Sequence, residues 1–124
     1  MTPLEEFWAE RHLCTLTTIR RDGTPHTVPV GATYDAATNT ARIITSGTSQ
    51  KVRNIGHHPQ VAICQIDGRR WSTLEGRAEI VSSGEAVKDA EDRYAARYKT
   101  PRVNPERVVI VVTVTRVLGT YRPD

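Results

Sequence analysis

The chain has 124 residues, of which 38% are hydrophobic and 25% charged, and its formal net charge is +3. This length suffices for one hydrophobic core and not for two, so we expect a single domain over residues 1–124. The small net charge and the lack of any run of like charges argue against nucleic-acid and membrane partners.

The N-terminal segment predicts a short helix. Thr2, Pro3 and Glu5 form the pattern of a capping box with proline at the first helical position, so the helix should cover residues 3–11. This segment is charged and amphipathic and does not resemble a signal peptide, and no apolar run approaches the ~20 residues that a membrane span requires. We therefore expect a cytoplasmic protein.

The next segments predict three strands. Residues 12–20 are rich in β-branched side chains, Asp22-Gly23 supplies a tight turn, and residues 24–34 continue as a second strand, which together form a hairpin. A turn over residues 35–39 leads into a third strand, residues 40–45.

The remainder alternates helices and strands. We predict a helix from about Thr48 to His57, ended by Pro59, then strands over residues 60–66 and 70–81, with Gly76 as a bulge in the second of them. Ser82 and Glu85 repeat the capping-box pattern before a helix over residues 83–99, and residues 107–118 form the last strand. Six strands in mainly antiparallel order predict a small closed or split barrel.

The segment around Gly47 is the strongest functional signal. The apolar third strand breaks at this glycine and restarts as a helix, and the first N–H groups of a helix have no internal partner. A phosphate beside Thr48 and Ser49 can accept those groups, while Lys51 and Arg53 supply countercharge. The same residues also fit an ordinary helix N-cap with an exposed lysine, and Arg53 also fits a solvated surface position.

A second candidate segment contains a proline inside a strand. Val28, Pro29 and Val30 form an extended stretch in which Pro29 cannot donate a ladder hydrogen bond. Such a place can hold a flat ring against the strand, or it can simply be an edge strand.

Other residue types restrict the chemistry. Of 17 basic residues only three are lysines, and arginine suits bidentate binding of phosphates and carboxylates, although GC-rich codon usage produces the same bias. Cys14 and Cys64 lie in apolar runs without redox or metal spacing, so we expect reduced, buried thiols. The four histidines show no ligand spacing, and no metal site is expected.

Three motifs resemble the pyridoxamine 5'-phosphate oxidase-like split-barrel family. They are residues 45–51 (TSGTSQK), 58–62 (HPQVA) and 74–80 (LEGRAEI). The resemblance implies a six-stranded antiparallel split β-barrel of the FMN-binding type, in which the turn and its lysine bind the phosphate of a flavin-type cofactor. It also implies a homodimer with the cofactor at the interface.

Within this family, the chain is similar to the actinobacterial branch that uses the deazaflavin coenzyme F420, in particular to its biliverdin reductases. Residues 10–13, 25–31, 65–71 and 93–105 carry this likeness. It implies hydride transfer from reduced F420 to a conjugated small-molecule acceptor such as biliverdin. The alternatives are an FMN-dependent oxidoreductase on the same fold and a non-catalytic protein that binds cofactor or tetrapyrrole. The chain is shorter than the true pyridoxamine phosphate oxidases and lacks their C-terminal substrate-reading segment.

The resemblance also assigns site residues. The cofactor itself carries the hydride chemistry, so no catalytic side chain is expected. Trp71 is expected to reach the site of the neighbouring subunit, or to pack at the interface. The arginines near the proline-rich loop are expected to bind substrate carboxylates or the acidic tail of the cofactor, or to be solvated. The expected cofactor-binding residues are His26, Val28, Pro29, Val30, Ile44, Thr45, Ser46, Thr48, Ser49, Gln50, Lys51, Arg53 and Trp71, and the expected substrate-binding residues are Arg70, Arg97 and Arg102.

Overall fold

The strands form one antiparallel sheet that curls into a barrel. The structure is a computed structural model and describes residues 1–123. These residues form, in chain order, α1 (Pro3–Ala9), β1 (Cys14–Ile19), β2 (Pro25–Val30), β3 (Ala32–Asp35), β4 (Thr40–Ser46), α2 (Gln50–His57), β5 (Gln60–Asp67), β6 (Arg70–Val81), α3 (Gly84–Arg97) and β7 (Arg107–Gly119). The sheet order is β2-β1-β5-β6-β7-β4-β3. The antiparallel split barrel is therefore confirmed.

The strand count was wrong by one. Residues 24–34 do not form a single strand, because the chain leaves the side of β1 and joins the side of β4 at Gly31. The sheet consequently has seven strands. A Cβ atom on Gly31 would lie 2.7 Å from Cε2 of Tyr94, so a larger residue at this crossing would have to displace the tyrosine ring.

The capping box of α1 is confirmed. Oγ1 of Thr2 accepts from the backbone N–H of Glu5 at 3.2 Å, and Oε1 of Glu5 accepts from the N–H of Thr2 at 3.1 Å. The helix ends at Ala9 rather than Arg11, because Glu10 already has an extended backbone. Phe7 and Trp8 of this helix are both buried in the hydrophobic core.

The starts of the other two helices differ from the prediction. The N-cap of α3 is Ser83 rather than Ser82, and its hydroxyl accepts from the N–H of Ala86 at 3.4 Å. Helix α2 begins at Gln50, two residues later than predicted, because Ser49 still has an extended backbone.

The bulge at Gly76 is confirmed. The pairing of β6 with β7 shifts register between Glu75 and Gly76. A Cβ atom on Gly76 would lie 2.1 Å from the backbone oxygen of Thr113, so only glycine lets the two strands approach this closely.

The barrel interior is the hydrophobic core. Alternate residues of the strands point inward, and the largest buried aliphatic side chains come from different strands of the sheet. Trp8 lies against this core and donates from Nε1 to Oγ of Ser72 at 3.0 Å. The largest of these aliphatic side chains are Leu16, Ile43, Ile63, Leu74 and Ile110.

The barrel is open along one line, which we call the split. The two edge strands β2 and β3 are joined through Gly31. Beyond this junction, β2 pairs only with β1, and residues 44–46 of β4 pair only with β7, so the two strands are not hydrogen-bonded to each other. Helix α2 spans the split from the end of β4 to β1, because Nδ2 of Asn54 donates to Oγ1 of Thr18 at 2.9 Å. Within residues 1–123, no helix has the length and apolarity needed to cross a membrane.

Candidate cofactor site

The turn between β4 and α2 is held from outside by the chain that precedes β7. The N–H of Gly47 donates to the backbone oxygen of Glu106 at 2.9 Å, and Nδ2 of Asn104 donates to Oγ of Ser46 at 2.9 Å. The N–H of Ser49 donates to the oxygen of Ser46 at 3.1 Å. These bonds fix the backbone of the turn, so the first turn of α2 points in a fixed direction.

The first turn of α2 has free hydrogen-bond donors. Ser49 occupies the N-cap position, but its side chain makes no capping hydrogen bond. Its hydroxyl instead accepts from Oγ1 of Thr45 at 3.4 Å. The first backbone N–H groups of the helix therefore lack both an internal partner and a side-chain cap, which is the arrangement that binds anions.

Lys51 adds a positive charge at this turn. Its side chain is partly buried, and burial lowers the pKa of its amine, with no charged or hydrogen-bonding neighbour among residues 1–123 opposing that shift. A partly desolvated ammonium without a counter-ion is unfavourable, and a bound anion would relieve it.

Arg53 supports the turn rather than standing free. Its guanidinium donates to the backbone oxygen of Thr48 at 2.6 Å and to Oε1 of Gln50 at 2.7 Å. Nε2 of Gln50 in turn donates to Oδ1 of Asn54, the residue that ties α2 to β1 through Thr18. Arg53 thus keeps its charge at the turn while bracing it, and its role as a phosphate ligand stays a prediction.

Strand β2 forms the opposite wall of the split. The register pairs His26 with Thr18 and Val28 with Leu16, so these side chains share the inward face, and Pro29 lies on the outward face. Nδ1 of His26 is buried and has no hydrogen-bond partner within residues 1–123. An orphaned buried nitrogen beside apolar side chains fits a polar ligand atom at this wall.

The two predicted segments lie on the strands that border the split. Residues 26–30 come from β2, and residues 44–51 come from the end of β4 and the start of α2. Their contact with one and the same ligand stays a prediction.

Arg97 lies at the end of α3 and outside the split. Its Nε and Nη2 donate to the backbone oxygen of Glu10, at 3.0 and 2.7 Å, and Nη1 donates to the oxygen of Ala32. Its guanidinium also lies 5.4 Å from the ring centroid of Trp8 and 5.0 Å from that of Tyr98. These contacts tie the end of α3 to the barrel, and a contact with substrate stays a prediction.

Arg70 is also engaged within the chain. It donates to Oε2 of Glu10 at 2.9 Å and to Oδ2 of Asp67 at 2.5 Å, and these hydrogen bonds raise the pKa of its guanidinium. Its neighbour Trp71 lies on the outer face of β6, paired with Ile66. Strand β6 is three positions from β2 and two from β4 in the sheet, and a contact of Trp71 with the split of another copy stays a prediction.

One cluster of polar side chains has no signature in the sequence. Nε2 of His12 lies 3.3 Å from Oε2 of Glu10 and 3.7 Å from Oδ2 of Asp67, and the three ligand atoms lie within 4.8 Å of one another. No spacing rule finds this group, because β5 brings Asp67 beside the chain before β1. Arg70 forms ion pairs with both carboxylates, so the group is an ion-pair network.

The fold defines a class: a small antiparallel split β-barrel in which the turn from β4 into α2 leaves the start of the helix without a side-chain cap. The family model for pyridoxamine 5'-phosphate oxidase matches residues 3–121. The chain belongs to this family.

Individual relatives agree with this placement. The chain is 55% identical over 113 residues to an F420H(2)-dependent biliverdin reductase of Mycobacterium tuberculosis (strain CDC 1551 / Oshkosh), covering 91% of this chain and 82% of the relative. A solved F420 reductase is 30% identical with a TM-score of 0.73, covering 92% of this chain and 94% of that one. The conserved hypothetical protein Rv2991 from Mycobacterium tuberculosis is 25% identical with a TM-score of 0.84, covering 98% and 85%.

Proposed function

We propose that this protein is an F420-dependent oxidoreductase that reduces a conjugated small-molecule acceptor, and that the acceptor is biliverdin. The 55% identity to a biliverdin reductase across 91% of the chain carries the proposal. The residues at the split support it, because they offer what a phosphate-bearing ring cofactor requires.

The anion site fits the phosphate of the cofactor. The uncapped N–H groups at the start of α2 and the amine of Lys51 are donors without acceptors in residues 1–123. Each charge-assisted hydrogen bond to a phosphate contributes roughly 1.5–3 kcal/mol. The turn is already held by Asn104 and Glu106, so little conformational entropy is lost when the phosphate binds.

The wall formed by β2 fits the ring. Val28 is partly exposed and supplies apolar surface, whereas Val30 is buried in the core, and Pro29 interrupts the ladder on the edge of the sheet. Nδ1 of His26, buried and without a partner in residues 1–123, would gain one from a polar edge of the ring. Bound F420 in its reduced form supplies a hydride. The protein contributes binding, orientation and the exclusion of water, so a nucleophile or a carboxylate pair is unnecessary.

A homodimer is part of the proposal. On the outer face of the sheet, Ile66 and Trp71 form a cross-strand pair with 64% and 38% of their surface exposed, and Leu118 on β7 lies on the same face. Exposed apolar side chains grouped on a sheet face are typical of a protein interface. A second copy covering them would bring Trp71 near the partner's split.

Parallel titration with F420 and FMN tests the cofactor assignment. We expect the purified protein to bind F420 and to bind FMN at least about ten times more weakly, a difference of roughly 1.4 kcal/mol. The reverse preference would replace this proposal with an FMN-dependent oxidoreductase.

The acceptor requires a separate assay. Oxidation of reduced F420 is followed by absorbance while biliverdin is added, and we expect one bilirubin formed for each F420 oxidised. A hydride goes to the bridging carbon of the acceptor and a proton from solvent completes the reduction. Tight binding of F420 without turnover on biliverdin or other conjugated acceptors would instead identify a cofactor carrier.

A further inference from the structure

An asparagine of the loop between α3 and β7 contacts the turn that precedes α2. Nδ2 of Asn104 lies 2.9 Å from Oγ of Ser46, and Oδ1 of Asn104 accepts from the backbone N–H of Glu106 at 3.0 Å. Asn104 and Ser46 are both half-buried. The loop and the turn, which are 58 residues apart along the chain, therefore meet through one side chain.

The contact with Glu106 determines which way the amide of Asn104 points. A backbone N–H can only donate, so the atom of Asn104 that faces Glu106 must be the amide oxygen. The amide nitrogen then faces Ser46. Because an amide nitrogen also can only donate, Oγ of Ser46 must be the acceptor of this hydrogen bond.

The hydroxyl of Ser46 consequently keeps its own proton free. A serine hydroxyl has one proton to donate and two lone pairs with which to accept. Asn104 occupies one lone pair, and within residues 1–123 no acceptor takes the proton. The O–H group is therefore available as a donor to a ligand.

This donor lies in the same turn as the uncapped start of α2. The backbone oxygen of Ser46 accepts from the N–H of Ser49, the N-cap residue, at 3.1 Å. A single hydrogen-bonded turn therefore separates Ser46 from the free N–H groups of the helix. An anion bound at the start of the helix is the kind of acceptor that the Ser46 hydroxyl lacks.

Arg107 holds the loop that carries Asn104. Its Nη2 donates to the backbone oxygen of Arg102 at 2.8 Å, and its Nη1 forms a 2.6 Å ion pair with Glu91 of α3. The backbone N–H of Arg107 also donates to the backbone oxygen of Asn104 at 3.1 Å. The side chain of Arg102 is itself exposed, and its contact with substrate stays a prediction.

We propose that Asn104 is a positioning residue for the cofactor phosphate, because its amide holds the Ser46 hydroxyl as a hydrogen-bond donor to that phosphate. The inference rests on the proposed function, which supplies the phosphate. It gives Asn104 a role beyond bracing the turn, since the direction of the hydrogen bond to Ser46, and not only its presence, sets the affinity.

Asn104→Asp reverses this hydrogen bond while it keeps the shape of the side chain. A carboxylate still accepts from the N–H of Glu106, but it cannot donate to Ser46, so the hydroxyl turns its proton to the carboxylate and away from the ligand. We expect F420 to bind at least about ten times more weakly, and the phosphate-free deazaflavin chromophore of F420 to bind unchanged. Calorimetry measures both affinities, and thermal unfolding verifies the fold. An equal loss for the chromophore overturns the proposal.

Ser46→Ala separates this role from repulsion by the new charge. In the wild type, Ser46→Ala removes the donor and should weaken F420 binding about tenfold. In the Asn104→Asp protein the donor is already turned away, so adding Ser46→Ala should change the affinity by less than about twofold. Repulsion alone, or a merely structural role, gives the same loss from Ser46→Ala in both backgrounds. That additive outcome overturns the proposal.

Asn39→Asp is the matched control. Asn39 precedes β4 at the end opposite Ser46, and its Oδ1 accepts from the hydroxyl of Tyr34 at 3.0 Å, a bond that a carboxylate retains. The variant adds the same charge as Asn104→Asp and should leave the affinities for F420 and for its chromophore unchanged.

FMN and riboflavin provide a second pair of ligands with and without phosphate. A wild type that binds FMN and not F420 counts against the proposed function, and the same set of variants measured with FMN and riboflavin then tests Asn104. A wild type that binds neither phosphate-bearing ligand overturns both proposals.

Discussion

At the scale of single residues, Lys51 is the side chain whose environment most clearly calls for a ligand. Its amine is partly desolvated and has no counter-ion within residues 1–123. We expect Lys51→Met to weaken F420 binding at least about tenfold, which corresponds to roughly 1.4 kcal/mol. The matched control is Lys88→Met, because Lys88 is exposed on α3 and pairs only with a surface carboxylate. Equal affinity in the two variants would remove Lys51 from the site.

The same substitution has a second, pH-dependent signature in the protein without cofactor. Burial lowers the pKa of Lys51 in the folded state below the ordinary value of 10.5, so the unfolded chain holds this proton more tightly. The charged amine therefore destabilises the fold at neutral pH, and the cost fades as pH rises through the lowered pKa towards 10.5. Lys51→Met should unfold at a higher temperature than the wild type at neutral pH, with a smaller difference once the pH reaches 10.5.

The sequence could indicate the residues expected to bind phosphate, but it could not determine the surroundings of Arg97, which was expected to bind substrate. The turn at Gly47 and Lys51 lie close together along the chain, so the sequence pattern alone can indicate an anion site. The partners of Arg97 are Glu10 and Gln65, which lie 87 and 32 residues away, and Ala32, which lies 65 residues away. No spacing in the sequence indicates that these groups surround one guanidinium, and an arginine beside a proline-rich loop looks the same whether it is solvated or buried.

At the scale of secondary-structure elements, replacing two glycines by alanine should change the stability of the fold in opposite directions. A Cβ atom on Gly76, at the bulge, would come 2.1 Å from the backbone oxygen of Thr113, whereas a Cβ atom on Gly56, in α2, would meet nothing within 4 Å. We expect Gly76→Ala to destabilise the fold by about 1–3 kcal/mol through overpacking. Gly56→Ala should stabilise it by about 0.5–1 kcal/mol, since alanine restricts the unfolded chain and favours the helix. Urea unfolding of both variants measures the two changes, and a Gly76→Ala protein as stable as the wild type would refute the close approach.

The elements were predicted well where the signal was a local pattern. The capping box of α1, the bulge at Gly76 and the strand over residues 70–81 depend on neighbouring residues. The division of residues 24–34 into β2 and β3 was missed, because its cause is tertiary: Tyr94 of α3 packs against Gly31. In the sequence, the only indication of this division was Gly31, which follows a β-branched run. The order of the strands likewise follows from long-range pairing that periodicity does not encode.

At the scale of the whole molecule, the exposed apolar face of the sheet determines the expected assembly. We expect the protein to sediment at twice its chain mass of 13.8 kDa at micromolar concentration, with the face around Ile66 buried between two copies. Ile66→Glu should give a monomer, because an unpaired carboxylate in an apolar interface loses its hydration without compensation. Val103→Glu makes the same change at a loop residue that is 94% exposed and should leave the dimer intact.

The proposed dimer also connects assembly to the site. Trp71 pairs with Ile66 on the outer face of the sheet, two strands from β4 and three from β2, and its proposed contact with cofactor is with the split of a second copy. The monomer formed by Ile66→Glu should therefore bind F420 more weakly, and Trp71→Ala should weaken binding while the protein stays dimeric. Sedimentation and fluorescence titration of the two variants separate these effects. Full affinity in a monomeric Ile66→Glu protein would show that each split binds the cofactor without its partner.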